Sequence, residues 1–505
     1  MTSAQPALPL APRGKVSRPA PPARHPAGAR RKRELWCALV LPSLMLEVRP
    51  LRPGLPAAVF DPARRVILAA SEAAAEAGVR PGQSTTTAWA MCPALVTFVR
   101  DPAAEERALA RLAGWAAQFS PRVSPEAQGV VLEIGASIRL FGGLSALLER
   151  LADGLASLGY RGVRGIAPTP LAALWRARAG QGHPVVDPVR LTGALAGLPL
   201  AAMGCDAKTL AALDGLGLCC IGDLLRLPRP GVARRYGPAL VEALDRALGR
   251  RPDPRPAWRP QPVYAGTLEL PVESESLKLI GLAFRRLASE LAGFVRARDA
   301  AVRRLELTLE TERQVLETTL ACHAPLRDAE RLLALVTTRL EAFELPAPVR
   351  AVGLRADDFV SHAPERALVA PPDPEATGLA PVLSRIAARL GEDAVVRLAL
   401  APDHRPERAV RACRVGEPRH ARGMVRPGWP LLLLAEPRRL AEVAGRPSAG
   451  GRLDVVAGPE RIESGWWDGA GAARDYYRLR ARNGAELWAF RDRARGGWYL
   501  HGYFL

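Results

Sequence analysis

The residues best suited to chemistry are few, and most of them suit binding rather than bond making. Gly215, Gly217 and Gly222 lie within residues 198–228, two short apolar segments around a Gly-Leu-Gly turn. That is the pattern of a helix-hairpin-helix, whose turn exposes backbone N–H groups able to hold a DNA phosphate without reading sequence. An ordinary helical hairpin with a glycine cap fits the same residues. Arg285, Arg286, Arg296, Arg298, Arg303 and Arg304 gather on one predicted helix and the strand after it, as phosphate contacts or as a solvated face. Near the C-terminus, Trp466-Trp467-Asp468 and Arg474-Asp475-Tyr476-Tyr477 flank a Gly-rich turn. Large aromatics mixed with charge compose interface hot spots, and an aromatic β core is the alternative. The seven cysteines form no CxxC pair and the seven histidines no ligand spacing. Neither disulfides, structural zinc nor a cofactor is expected, and the setting is cytoplasmic.

These groups must be positioned by 505 residues, enough for about three to five domains. An apolar fraction of 48% is that of a globular protein. Net charge is +19, and eight Lys/Arg fall in the acid-free residues 1–33. Such an excess favours a polyanion, nucleic acid above all. Composition contributes as well, because four Lys stand against 66 Arg, as a GC-rich genome produces. Seven prolines in the first 26 residues oppose an amphipathic helix, so 1–34 read as a disordered basic tail. Leu35–Leu46 is broken by Pro42 and is too short to cross a bilayer.

Residues 35–41 form a buried strand ended by Pro42. Further strands at 57–60, 66–69, 129–134 and 163–167 alternate with helices at 71–77, 84–91, 103–119, 144–158 and 170–179. The order predicts an α/β or α+β unit over 35–195. The helical hairpin occupies 196–255, and a Pro-rich linker (251–262) leads to 263–360. There the order strand, helix, strand, strand, helix, strand predicts a small α/β sandwich. Residues 361–430 read as a Pro/Arg-rich linker with one helix, and 431–505 as an aromatic-rich interaction module. The last 40 residues hold ten of the 27 aromatics.

In this order the motifs resemble the Y-family DNA polymerases. Residues 68–83, with Gly78-Val79-Arg80, Gly82 and the later Cys92-Pro93, are similar to the fingers motif. Residues 130–143 match the palm strand and its Leu-Phe-Gly turn, 164–174 the segment opening a palm helix, and 216–228 the thumb hairpin. The resemblance implies a multidomain α+β fold: palm and fingers (35–195), helix-hairpin-helix thumb (196–255), little finger (263–360) and a C-terminal module. Residues 458–504 further resemble the C-terminal signature of the ImuB-type branch, whose members are catalytically degenerate.

Nucleotidyl transfer in this family needs two metal ions held by carboxylates. The first palm strand and its turn, Leu35–Leu46, contain no acid. The family's Asp-Glu pair falls on Gln128 and Gly129. Its triphosphate contacts fall on Glu72, Ala75 and Leu174, exchanging an aromatic and two cations for an acid and two apolar side chains. The resemblance therefore implies a pseudoenzyme with no catalytic residue and no metal. It also implies sequence-independent DNA binding through Gly215, Gly217, Gly222, Arg296, Arg298, Arg303 and Arg304. The implied partners are the sliding clamp, an error-prone replicative-type polymerase subunit and the RecA-like accessory protein ImuA, with Trp466 to Asp468 and Arg474 to Tyr477 docking them. The place of a clamp-binding peptide, 361–372, has Leu368 but no Gln or aromatic. Two other readings compete: an active error-prone polymerase using displaced acids Glu47, Glu126 and Glu133, and a DNA-binding structural protein without a polymerase partner.

Overall fold

The computed structural model describes residues 34–362, 379–414, 428–430 and 432–504. The basic tail 1–33, and the stretch of the linker around Leu368, lie outside the described residues. Strand β1 (Trp36–Val40) is apolar throughout and buried on both faces, which suits an inner strand. Cys37 and Leu39 enter one core, while Trp36, Ala38 and Val40 enter another on the opposite face. After the short α1 (Leu44–Glu47) comes a three-stranded sheet of β2 (Ala57–Asp61), β3 (Val66–Ala70) and β4 (Val96–Val99), with α2 (Glu72–Glu76) and α3 (Thr85–Met91). Ser71 and Ser84 start these two helices by accepting from the N–H groups of Ala74 and Thr87.

Helix α4 (Pro102–Ala116) returns to the first sheet, followed by β5 (Val123–Glu126), β6 (Gly129–Glu133), α5 (Leu144–Ser157) and β7 (Val163–Ala167). The strand order is β5-β6-β1-β7, all antiparallel, with α4 and α5 on one face. The other face is closed by α6 (Pro170–Arg178) and five thumb helices: α7 (Leu191–Ala196), α8 (Ala207–Asp214), α9 (Ile221–Arg226), α10 (Arg229–Tyr236) and α11 (Pro238–Ala247). The pair α10–α11 adds two helices after the hairpin of α8 and α9.

The Pro-rich stretch 251–262 is no loose tether. Asp253 accepts from the Leu171 N–H (3.1 Å), Trp258 N–H donates to the Val123 carbonyl (2.7 Å), and the Trp258 ring packs between two cores. The next unit is β8 (Tyr264–Ser274), α12 (Leu277–Arg296), β9 (Ala300–Thr311), β10 (Val315–Leu326), α13 (Ala329–Glu341), β11 (Val349–Ala356) and β12 (Phe359–Ser361). Its sheet runs β10-β9-β11-β8, with β12 on β9, and α12 and α13 cover one face. Helix α12 docks on α4 of the palm through buried charge. Arg111 donates to Glu290 (2.8 Å), Arg286 pairs with Glu290 (3.3 Å), the Tyr264 hydroxyl donates to Glu290 (3.2 Å), and the Arg286 guanidinium lies 4.1 Å over the Tyr160 ring.

Helix α14 (Leu379–Leu390) abuts β10 and leads to the two-stranded β13 (Val396–Leu400) and β14 (Val410–Arg414). The last sheet comprises β15 (Leu432–Arg439), β18 (Asp454–Ser464), β19 (Ala472–Arg480), β20 (Glu486–Asp492) and β21 (Trp498–Phe504), with β16 (Ala441–Val443) and β17 (Arg446–Ser448) forming a separate small hairpin after β15. Its order is β15-β21-β20-β19-β18, with an aliphatic core on Leu479 and Leu500 and an aromatic one on Tyr476 and Trp488. Among the described residues no helix is long and apolar enough to cross a membrane.

Candidate functional site

The palm positions expected to gather metal ligands do meet. Val40 pairs directly with Gly129, and Leu41 N–H donates to the Gln128 carbonyl at 2.7 Å. No carboxylate stands there. A Cβ on Gly129 would fall well inside contact of the Leu39 carbonyl oxygen, so this backbone admits no side chain at 129. The adjoining cavity, about 490 Å³, is lined by Leu41, Pro42, Met45, Gln128 and Arg178. Its other charges, Arg100 and Glu105, close on each other through two hydrogen bonds of 2.9 and 3.0 Å.

The three acids considered as substitutes are dispersed. Glu133 sits at the opposite end of β6 beside Trp36, four residues from Gly129 and so roughly 13 Å away along the strand. It is buried and accepts from the Gly135 N–H (2.9 Å). Glu126 accepts from Arg255 at 2.7 Å, and Arg255 also grips Asp253 at 2.9 Å. Burial raises the Glu126 pKa, and the Arg255 charge opposes that rise. Glu47 lies on α1, accepting from Arg161 N–H at 3.1 Å; burial pushes it up to about 7. Among the described residues no group of three His, Cys, Asp or Glu is placed to hold a metal ion.

The remaining nucleotide-site positions have other work. Leu174 is buried in the core between β1 and the thumb. Glu72 is exposed and paired with Arg161 at 2.8 Å, and Ala75 is half-buried on α2. Glu47, Glu72 and Arg161 border a cavity of about 640 Å³ between palm, fingers and α12, together with Arg49, Arg52, Arg285 and Arg286. Arg49, Arg161 and Arg286 are paired with Glu269, Glu72 and Glu290, while Arg52 and Arg285 have no ion pair among the described residues and leave the walls with a positive balance.

The helical hairpin forms, but its expected phosphate donors are spent internally. Gly215 N–H donates to the Ala211 carbonyl and Gly217 N–H to the Asp214 carbonyl, while Asp223 takes the N–H groups of Cys219 and Cys220, both at 3.0 Å. The Asp223 carboxylate thus caps the start of α9. Gly222 is buried, and a Cβ there would press on the Ala196 carbonyl, so its role is packing. Gly215 and Gly217 therefore have their N–H groups engaged within the hairpin.

Of the arginines, Arg303 and Arg304 are exposed on β9 with no acidic partner among the described residues, while Glu306 and Glu310 beside them are taken by Arg355 and Arg350. Arg296 is exposed and lies 3.7 Å from Asp328. Arg298 folds back, its guanidinium 3.6 Å over the Phe294 ring and donating to the Gln261 carbonyl, which removes it from a DNA face. Arg286 is buried in the palm contact and is likewise unavailable.

In the last sheet Trp466 and Trp467 are 82% and 61% exposed, on a turn fixed from behind. Asp468 receives Arg405 (2.9 and 2.7 Å) and Arg408 (2.7 Å), and the Arg405 hydrogen bonds hold its carboxyl far below the usual range. Tyr476, expected at an interface, is 1% exposed: its hydroxyl meets His501 Nδ1 at 2.8 Å and its ring stacks on Trp488. Arg474 is spent on Glu407 (3.0 Å), Asp475 on Arg461 (2.8 Å), and the half-buried Tyr477 packs on Trp498. Tyr476 is thus held in the core of the sheet, and the other three are engaged by these internal contacts while staying partly exposed. Sequence reasoning missed Arg255, Arg111, Glu290 and Arg405; only Arg255 left a signal, a charge beside a Trp in a proline run.

Comparisons with known proteins identify the family. Residues 42–176 match the impB/mucB/samB family and residues 267–368 its C-terminal domain, so the fold is that of a Y-family polymerase-like protein. Protein ImuB of Caulobacter vibrioides is 32% identical over 470 residues, 85% of this chain and 100% of that protein. The chain belongs to the ImuB family. DNA polymerase IV of Neisseria meningitidis is 26% identical over 326 residues, 60% of this chain and 90% of that enzyme. The solved Dbh ternary complex is 15% identical, with a TM-score of 0.37, covering 65% of this chain and 99% of that one.

Proposed function

We propose that the protein is a non-catalytic adaptor for mutagenic DNA-damage tolerance. It holds DNA through exposed arginines and brings together a sliding clamp, an error-prone polymerase subunit and ImuA. One observation carries the loss of catalysis: Val40 and Gly129 face each other where the metal ligands of a polymerase belong, and Gly129 has no room for a side chain. Two-metal transfer needs carboxylate oxygens at that point. The positively walled cavity and free Arg303 and Arg304 support the DNA role, which is sequence-independent because arginine–phosphate contacts carry no base information. Trp466 and Trp467, rigid and exposed, support a protein contact at the C-terminus. The test is primer extension with Mg²⁺ or Mn²⁺ beside a pull-down with purified clamp, polymerase subunit and ImuA. The adaptor reading expects no extension and capture of at least one partner. Nucleotide-dependent extension that disappears in Glu126→Ala or Glu47→Ala overturns it.

A further inference from the structure

Helix α14 sits in the fold with its most apolar arc outward. Its inner side is built of small residues: Ser384, Ala387 and Ala388 are buried, and the Ser384 hydroxyl accepts from the His323 N–H of β10 at 2.9 Å while donating to the Ala380 carbonyl at 3.0 Å. This contact fixes the rotation of the helix about its axis. Leu379, Val382, Ile386 and Leu390 recur at spacings of three, four and four residues and so share one face. They are 68%, 50%, 39% and 67% exposed. An amphipathic helix on a globular surface normally turns such a stripe inward, and a contiguous exposed one marks an interaction site. Arg385 and Arg389, one turn apart and both exposed, form a rail along one flank and have no acidic partner among the described residues.

We propose that this face docks an acidic amphipathic helix of a partner protein. The stripe runs the 12 residues of the helix, roughly 17 Å from first to last, the length of a three-turn helix laid alongside. Apolar anchors at i, i+3 or i+4 and i+7 meet the stripe, and carboxylates on one flank of the incoming helix meet Arg385 and Arg389. The rail decides between occupants. A second copy pairing antiparallel sets the rail against its own image, which repels. A lipid surface is less suited, because the stripe carries no Trp or Tyr to anchor at the headgroups. The site is separate from the Trp466–Trp467 turn and stands whether or not that turn docks anything.

The test uses the full chain and two labelled synthetic three-turn peptides with leucines at matching spacing, one with Glu on its flank and the other with Lys. Fluorescence anisotropy is expected to show the Glu peptide binding at least about tenfold more tightly, with the margin shrinking as salt rises. The double variant Arg385→Glu/Arg389→Glu should invert that preference. Ile386→Asp should weaken both peptides by about tenfold or more with circular dichroism unchanged, since the side chain lies on the outer face of the helix. Equal binding of the two peptides overturns the proposal, as does failure of the charge reversal to invert them. A dimer in sedimentation that Ile386→Asp dissociates assigns the face to a second copy instead. Loss of binding to phosphatidylglycerol vesicles in Ile386→Asp, with neither peptide bound by the parent chain, assigns it to lipid.

Discussion

Arg255 donates to Glu126 at 2.7 Å across 129 positions of chain, tying the proline-rich strap to the palm hairpin whose tip faces the end of β1. The strap thus occupies the Glu126 carboxylate at the tip of that hairpin, and Asp253 on the same strap reaches the first turn of α6. The palm hairpin is braced by the strap at its tip.

Restoring acids to the hairpin should therefore fail. Gln128→Asp with Gly129→Glu is expected to give no primer extension, because the new Cβ at 129 meets the Leu39 carbonyl and displaces β6 from β1. The double variant should melt well below the parent, while Gln128→Asp alone should melt close to it. A well-folded double variant that extends a primer contradicts the geometry.

The docking of α12 on the palm rests on one carboxylate shared by two guanidiniums. Glu290 is 1% exposed, and its removal leaves Arg111 and Arg286 buried without a counter-charge. Glu290→Ala should cost roughly 3–5 kcal/mol, the usual scale for half of a buried ion pair. The expected readout is a lower urea midpoint together with faster proteolytic cutting near 251–262. An unchanged midpoint places the stability of this contact in Trp115 and Trp258 instead.

Two buried groups give opposite pH slopes. Burial raises Glu47 to about 7, so the folded state holds a proton that the unfolded chain has released above the ordinary carboxylate range. That burial costs stability as pH rises from about 4.5 to 7. Burial lowers His501 to about 4, so the unfolded chain binds the extra proton and stability is lost as pH falls from about 6.5 toward 4. Glu47→Gln should stabilise the palm at pH 8 by about 1 kcal/mol more than at pH 5, with the partial exposure of the carboxylate screening the rest. His501→Gln should flatten the acid limb of the C-terminal sheet. Chemical denaturation from pH 4.5 to 8.5 separates them, and parallel curves for parent and variants contradict both assignments.

Much of the architecture is legible in the sequence because burial and period agree. The apolar run 35–41, the 3.6-residue pattern of α4 and α12 and the alternation of β9 each fix an element before any contact is known. The meeting of the two strand ends is legible too, since Gln128 and Gly129 are placed by the strand that follows them and pair with the end of β1. What is not legible depends on which of two like residues is covered. Trp466 and Tyr476 sit ten positions apart in similar company, yet one lies on a turn and the other on a strand facing the aromatic core. Asp223 reads as a plain helical acid until its oxygen is seen to take both turn N–H groups. Arg298 and Arg304 read alike, and only the return of the strap along Phe294 separates them.

That separation sets the DNA prediction. Arg303→Ala with Arg304→Ala should weaken duplex binding equally for unrelated sequences and flatten the slope of log K against log salt by about one to two. Arg298→Ala should leave the slope as it is and lower stability instead. An unchanged slope in the first variant relocates the footprint to the arginines around the 640 Å³ cavity.

The aromatic turn allows the cleanest separation of binding from folding. Trp466 and Trp467 lie edge to face at 5.4 Å, and neither belongs to a buried core. Trp466→Ala with Trp467→Ala should leave the melting temperature within about 2 °C of the parent, since surface changes away from packing usually cost under about 0.5 kcal/mol. The same variant should lose capture of the protein partner, because a pair of rigid, exposed aromatics commonly carries most of an interface. Tyr476→Ala does the opposite kind of damage. It empties a ring that stacks on Trp488 with centroids 4.2 Å apart and removes the hydroxyl that meets His501, so the sheet should lose roughly 3–5 kcal/mol. Asp468→Asn lies between the two: the core is untouched, but the turn loses its charged clamp on Arg405. It should keep the melting temperature and weaken partner capture by about tenfold, through the entropy of re-ordering the turn at each encounter. Calorimetry and pull-down on the same three variants check the scheme. Capture that survives loss of both tryptophans moves the interface elsewhere on the sheet.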